Sequence, residues 1–212
     1  MKPLSAAATK TALFSSSAKP PELRAFASEL YDRGWNILAS AGTAKFLNEG
    51  GTKYAKDVAS LVGEPILGHK VVTLSRELYT GLLADLGDPE DVVELKRVGV
   101  NPINLVYVDL YPLEKELGKP DATYESVIKQ TDIGGPTMLR AAAKGGRIVL
   151  VNPGQFPDTM QYLQKELDET ITDIQRRSFL STLAKDAEKT VMLYGGLSYR
   201  FHKRVSDTGQ FP

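Results

Sequence analysis

Two segments near the amino terminus repeat one order of patterns: a short apolar run, a polar turn, then an amphipathic run closed by glycine. Thr11-Ala12-Leu13-Phe14-Ser15 reads as a buried strand. Ser16-Ser17-Ala18-Lys19 turns into a helix opening at Pro20-Pro21-Glu22, where a first helical turn tolerates proline. Leu23, Phe26 and Leu30 form an apolar stripe at spacings of three and four, and Arg33-Gly34 closes it. Asn36-Ile37-Leu38-Ala39 then gives a second strand, Ser40-Ala41-Gly42-Thr43 a second turn, and Phe46 and Leu47 a second helix ending at Gly50-Gly51. Two such units in succession predict an α/β fold with a mainly parallel sheet and crossover helices.

The rest of the chain continues the alternation. Tyr54, Val58 and Leu61 lie in a stretch that supports the sheet. Helices are expected over 75–86, 89–97, 123–130 and 157–167, and strands over 103–108 and 147–152. Phe179, Leu180, Leu183, Ala187, Val191 and Met192 carry a helical stripe from 174 to about 194. That stripe fits core or a subunit contact better than a cofactor box. Gly195-Gly196 is expected to interrupt it before Leu197-Ser198-Tyr199-Arg200. Residues 1–10 read as a flexible segment, 11–205 as one domain and 206–212 as a loose tail; 212 residues favour one domain over two small ones.

Composition narrows the chemistry. Lys+Arg and Asp+Glu both total 26, so the formal net charge is zero, and without a long basic run there is no electrostatic case for nucleic acid. There are no cysteines, and only His69 and His202 supply imidazoles. Disulfides and thiolate metal sites are therefore excluded, a zinc site is not expected, and a reducing, cytoplasmic setting fits. No apolar run reaches membrane-spanning length, so no membrane partner is expected. Met1 to Lys10 lacks the apolar centre of a signal peptide.

In parallel sheets, ligands collect at the carboxyl ends of the strands. Ser15, Ser17, Lys19, Ser40, Gly42 and Thr43 fall there and can form a phosphate cradle of hydroxyls, backbone N–H groups and one ammonium. Ser17 and Thr43 can equally be helix N-caps, which needs no ligand. Asp109-Leu110-Tyr111-Pro112 forms a polar and aromatic tip on the 103–108 strand. Tyr111 there can contact a ligand or stay a core aromatic with a wet hydroxyl.

The most distinctive stretch is Asp132-Ile133-Gly134-Gly135-Pro136-Thr137-Met138-Leu139-Arg140-Ala141-Ala142-Ala143-Lys144. An acid precedes a Gly-Gly turn that lets backbone N–H groups approach a ligand closely. The helix start behind it favours an anion. The run stops at Gly145-Gly146, a glycine stop signal. Spacing alone also permits a plain turn before a helix, with Arg140 and Lys144 as solvated charges.

As a whole word, DIGGPTMLRAAAK resembles the signature of the IMP cyclohydrolase domain of the bifunctional purine-biosynthesis enzymes. The segments A-L-F-S-S-S-A-K and I-L-A-S-A-G-T-A-K are similar to that family's S-V-S-D-K and S-T-G-G-T-A-K turns, with Ala18 for an Asp and Ala41 for a Gly. The family's N-L-Y-P matches Asp109-Leu110-Tyr111-Pro112, with Asp109 for the usual Asn. Its G-R-V-K-T-L-H-P is altered here: aligned on Val71 and Thr73-Leu74, Lys70 replaces the arginine, Val72 the catalytic lysine and Ser75-Arg76 the His-Pro. Valine carries no charge. Lys70, two residues away on one face of an extended segment, lacks arginine's bidentate fork.

The resemblance implies a three-layer, Rossmann-like, methylglyoxal-synthase-like domain and a likeness to the first domain of those enzymes only, the transformylase domain being absent from this chain. It implies dehydrating ring closure of 5-formamidoimidazole-4-carboxamide ribonucleotide to inosine monophosphate, by a homodimer, with a separate transformylase as a possible partner. It implies catalytic roles for Asp132, Lys144 and Tyr111, and substrate contacts from the cradle, Lys70, Thr73, Asp109, Gly134 and Gly135. The ring closure has no redox step and needs no cofactor. Val72 leaves open a purine-ribonucleotide-binding regulatory module without turnover. The shared fold leaves open phosphate elimination from a triose phosphate.

Overall fold

The computed structural model describes residues 9–68 and 71–209. Its centre is a five-stranded parallel sheet: β1 (Thr11–Ser16), β2 (Asn36–Ala39), β3 (Ala55–Asp57), β4 (Leu105–Asp109) and β5 (Ile148–Leu150), in the order β3-β2-β1-β4-β5. The chain starts at the middle strand, winds outward through β2 and β3, then returns to lay β4 on the other side of β1. The winding direction thus reverses between β1 and β4, which defines a switch point whose carboxyl end forms a crevice. In register, Ser16 pairs with Asp109, so the polar tips of the two strands meet there.

Right-handed crossovers that move in opposite directions place their helices on opposite faces. Helix α1 (Pro21–Asp32) connects β1 to β2 and buries Leu23, Phe26, Ala27 and Leu30. Phe26 meets Phe14 edge-on at 6.2 Å and stacks on Phe156 at 4.2 Å. Tyr107 closes the cluster 5.2 Å from Phe156. On the other side of the reversal, α8 (Gly134–Lys144) leads to β5 and buries Met138, Leu139, Ala141 and Ala142. Full burial of the central strands explains their unbroken apolar reading.

Helix α2 (Ala41–Leu47) leads to β3, followed by α3 (Ala59–Val62), α4 (Arg76–Leu83) and α5 (Pro89–Val98). Asp88 caps α5 through the Glu90 N–H at 2.9 Å, Pro89 starts it, and left-handed Gly99 ends it. After β4 come α6 (Leu113–Leu117), α7 (Tyr124–Gln130), α8, and α9 (Phe156–Leu167). Arg147, buried before β5, donates to the Leu82 carbonyl at 2.8 Å and the Ala84 carbonyl at 2.5 Å, tying the end of α4 to the sheet.

Helix α10 (Asp173–Thr208) differs from the sequence expectation. It starts on a Thr172/Gln175 capping box and runs unbroken for 36 residues. Gly195-Gly196 does not interrupt it, and 206–208 are helical rather than a loose tail. Two glycines cost a helix about 1 kcal/mol each relative to alanine. Before the pair, buried Leu183 and Ala187 pack into the main core and Tyr194 into a second cluster with Leu113 and Val127; after it, Phe201 joins that same cluster, so the helix is held on both sides. Among the described residues no helix is long and apolar enough to cross a membrane.

Candidate functional site

The switch point brings the carboxyl end of β1, the tip of β4 and the start of α8 to one crevice. Its centre is Asp109. Oδ1 accepts the Ser17 N–H at 2.6 Å, the Ala18 N–H at 2.9 Å and the Ser17 hydroxyl at 2.8 Å. Oδ2 accepts the Ser16 hydroxyl and, at 3.1 Å, the Tyr107 phenol. Burial, then the Asp109 charge and that hydrogen bond, push the Tyr107 phenol far above its ordinary range, so it remains a donor. The Ser17 hydroxyl also approaches the Leu110 carbonyl at 2.9 Å.

This arrangement changes the roles read from the sequence. Ser17 spends its hydroxyl and its N–H on protein rather than on an open phosphate cradle, and Asp109 is the hub of the turn. Ser17 is not an N-cap either: the N-cap of α1 is Pro20. Thr43 is completely buried and binds both sides of Ser16, accepting its N–H at 2.9 Å and facing its carbonyl at 3.2 Å. It holds β1 to α2 instead of facing ligand, and the N-cap position of α2 belongs to Ser40. The hydroxyls of Ser15 and Ser40 stand 3.5 Å apart, with Ser40 3.0 Å from Thr43 Oγ1. Both residues are part-exposed.

Lys19 closes the turn. Its backbone is left-handed, with φ of 51°, a conformation costing a non-glycine residue about 1 kcal/mol or more. The Ser16 hydroxyl accepts its N–H at 2.8 Å, and Asp109 in turn accepts from that hydroxyl. The side chain lies along α2: a carbon on Gly42 would stand 3.8 Å from Lys19 Nζ. Among the described residues this ammonium has no ion-pair partner.

Asp132 sits on the opposite rim. Its Oδ1 accepts the Gly135 N–H at 2.9 Å. Burial raises its pKa; the N–H groups of Gly135, Tyr111 and Gly134 pull the other way, and the charge of Asp109 adds to the rise. A part-buried carboxylate with a raised pKa at a helix start is a candidate proton acceptor. Gly134 and Gly135 have ordinary negative φ, and both positions demand glycine for space. A carbon on Gly134 would fall 2.6 Å from Thr73 Oγ1; one on Gly135 would fall 2.5 Å from Asp132 Oδ2 and 2.6 Å from Leu110 Cδ2. The glycine pair therefore admits the protein's own Asp132, Leu110 and Thr73, which places Thr73 beside the site. Tyr111 is 53% exposed on the same rim.

Lys144 is not brought to Asp132. It is the last residue of α8, and ten residues at 1.5 Å each put it roughly 15 Å along the axis from Gly134. It faces solvent at the amino edge of the sheet. Val72 packs against the main core, and Lys70 lies outside the described residues. A cavity of about 870 Å³, with Trp35, Asn104, Arg147 and Glu166 in its walls, also opens at the amino edge, away from the crevice.

Two residues that sequence reasoning missed organise the site. One is Ser16, which links Asp109 to Lys19. The other is Tyr194 on α10, whose hydroxyl accepts the Asp132 N–H at 2.7 Å and donates to the Gln130 carbonyl at 3.2 Å. The helical stripe in α10 suggested core or a subunit contact, and nothing in its spacing points to a loop 62 residues earlier.

A parallel α/β domain with its crevice at the β1/β4 switch point defines the class. The chain belongs to the family of MGS-like domains, whose model matches residues 22–137. It is 38% identical over 203 residues to the bifunctional purine biosynthesis protein PurH of Synechococcus sp. (strain WH7803), covering 94% of this chain and 38% of that protein. Over 205 residues it is 31% identical to PurH of Nostoc punctiforme, covering 95% and 40%. PurH of Bacillus subtilis is 34% identical over 184 residues, covering 84% and 36%. The chain thus spans at most about two-fifths of the length of these relatives. The crystal structure of ForH superposes with a TM-score of 0.72 at 26% identity, over 91% of this chain and 98% of that one.

Proposed function

We propose that this chain acts in purine biosynthesis as an IMP cyclohydrolase, closing 5-formamidoimidazole-4-carboxamide ribonucleotide to inosine monophosphate with loss of water. The observation that carries the reading is Asp132: a part-buried carboxylate of raised pKa at the start of α8, in a chain related to PurH. Both reacting groups sit on one imidazole, so proximity is built into the substrate. The carboxamide nitrogen forms the new C–N bond to the formyl carbon while Asp132 accepts its proton. The formyl oxygen becomes the carbinolamine hydroxyl and leaves as water after receiving a proton. The Gly134 and Gly135 amides hold the Asp132 carboxylate, and exposed Tyr111 on the same rim supplies a donor to the negative charge that develops.

Within one chain Lys144 stands too far from Asp132 to join that step. Its role as proton donor to the departing oxygen therefore requires a homodimer in which a second copy presents its α8 terminus. Exposed Met192, Leu193 and Tyr199 on α10 are the apolar surface for such a contact. The formylated substrate is the product of a transformylase reaction.

The second reading, a ribonucleotide-binding module without turnover, is favoured by Val72, which offers packing where the relatives' signature offers an ammonium. Conversion of the formylated ribonucleotide to inosine monophosphate, measured beside Val72→Lys, separates the two. Turnover by the unmodified protein supports the cyclohydrolase; binding without turnover supports the module, and rescue by Val72→Lys locates the missing chemistry. Equimolar Asp132→Asn and Lys144→Ala proteins, each inactive, recover activity on mixing if the site is shared between copies. No recovery, with dimers exchanging, sinks the shared site.

A further inference from the structure

The turn after β1 is built as an anion nest, and the protein fills it with its own carboxylate. Successive N–H groups of Ser17 and Ala18, two serine hydroxyls and the Tyr107 phenol all converge on Asp109. Such a donor set would otherwise receive a phosphate oxygen. Pairing of Ser16 with Asp109 across β1 and β4 makes the occupancy a consequence of strand register. Lys19, without an ion-pair partner among the described residues, is the neighbouring cation. A phosphate seated on Lys19 meets one attractive charge and one fixed charge of its own sign, and the two largely cancel.

We infer that Asp109 is a specificity-determining residue that removes most of the gain from a ligand's phosphate, so that the site recognises purine nucleosides mainly through base and sugar. The inference rests on the ribonucleotide reading above and sharpens its substrate class: nucleoside-like ligands, with or without a 5′-phosphate.

Asp109→Asn is the informative variant. Its amide oxygen can still accept the Ser17 and Ala18 N–H groups, and its two amide hydrogens can donate to the Ser16 and Tyr107 hydroxyl oxygens, so the turn is kept while the charge goes. Calorimetric titration with inosine, inosine monophosphate and inorganic phosphate gives the preference for the phosphorylated nucleoside. For the unmodified protein it is expected to be below about tenfold, and Asp109→Asn raises it at least about fivefold by strengthening only the phosphate-bearing probes.

A preference above about a hundredfold in the unmodified protein overturns the inference whether or not the variant folds. So does a folded variant with unchanged preference. If neither nucleoside binds, the ribonucleotide reading fails by itself, and inorganic phosphate decides the role of Asp109: tighter binding to the variant supports it, whereas equal or absent binding overturns it.

Discussion

Replacing Tyr194 by phenylalanine removes a single oxygen atom and keeps the ring in its cluster with Leu113, Val127 and Phe201. That oxygen accepts the Asp132 N–H at 2.7 Å and donates to the Gln130 carbonyl at 3.2 Å, so the variant loses two hydrogen bonds and leaves two backbone groups part-buried without them. At a net 0.5–1.5 kcal/mol per bond, with some desolvation cost for the stranded groups, the expected loss is about 2 kcal/mol. A domain with 5–15 kcal/mol of stability stays folded, so activity and stability can be read separately. Urea denaturation measures the stability. Hydrogen exchange measures the hold on the loop: protection of the Asp132 amide should fall by roughly tenfold or more relative to that of the β1 and β4 amides. Because the loop carries the proposed proton acceptor, kcat should fall about 10- to 100-fold with little change in KM. A variant within 0.5 kcal/mol of the parent, with normal Asp132 protection, would refute the argument that α10 holds this loop.

Gly145 has an ordinary φ of −78°, but a carbon there would overlap the Leu82 carbonyl oxygen; Gly145→Ala should lower stability by at least about 2 kcal/mol in urea. Gly195 is the opposite case, helical with nothing near the position a side chain would take, and Gly195→Ala should gain about 0.5–1 kcal/mol by thermal melting. Asp132, whose carboxyl is raised above 3.8 mainly by burial, binds more protons folded than unfolded. Its contribution therefore lowers stability as pH rises from about 3.8 through the folded pKa. Asp132→Asn should consequently match the parent below that window and exceed it at neutral pH in paired melts, while ring-closing activity falls at least about 100-fold.

The parallel sheet was legible because each strand announced itself locally: an unbroken apolar run with a turn behind it. Strand β3 was not, since Ala55-Lys56-Asp57 has no run of its own. It is a strand because β2 offers an open edge, and because Asn48 binds the Tyr54 and Ala55 N–H groups and the Ala55 carbonyl. The same contrast explains α10. Gly195-Gly196 is a local break signal, and buried contacts on both sides of it outweigh a cost of about 2 kcal/mol. The Gly145-Gly146 stop signal holds, with Gly146 turning left-handed at φ 65°; what the sequence does not show is that Gly145 is glycine because α4 passes too close for a side chain.

The site shows the limit more sharply. Its residue types were visible, and so was their gathering at strand ends, because a parallel sheet sends every βα turn to one edge. Which donor meets which acceptor was not visible, because that depends on register between strands 93 residues apart in sequence, where Ser16 meets Asp109. From sequence alone Asp109 is an extra negative charge beside a phosphate cradle. In the fold it is the atom set around which the cradle closes, and Lys19 owes its left-handed backbone to it through Ser16. Removing the charge and removing the side chain are therefore different experiments. Asp109→Asn alters what the crevice attracts, whereas Asp109→Ala also frees the Ser17 and Ala18 amides and the Ser16 hydroxyl. The alanine variant should lose stability that the asparagine variant keeps, by about 1–3 kcal/mol, and equal melting of the two would show that the turn does not depend on this carboxylate.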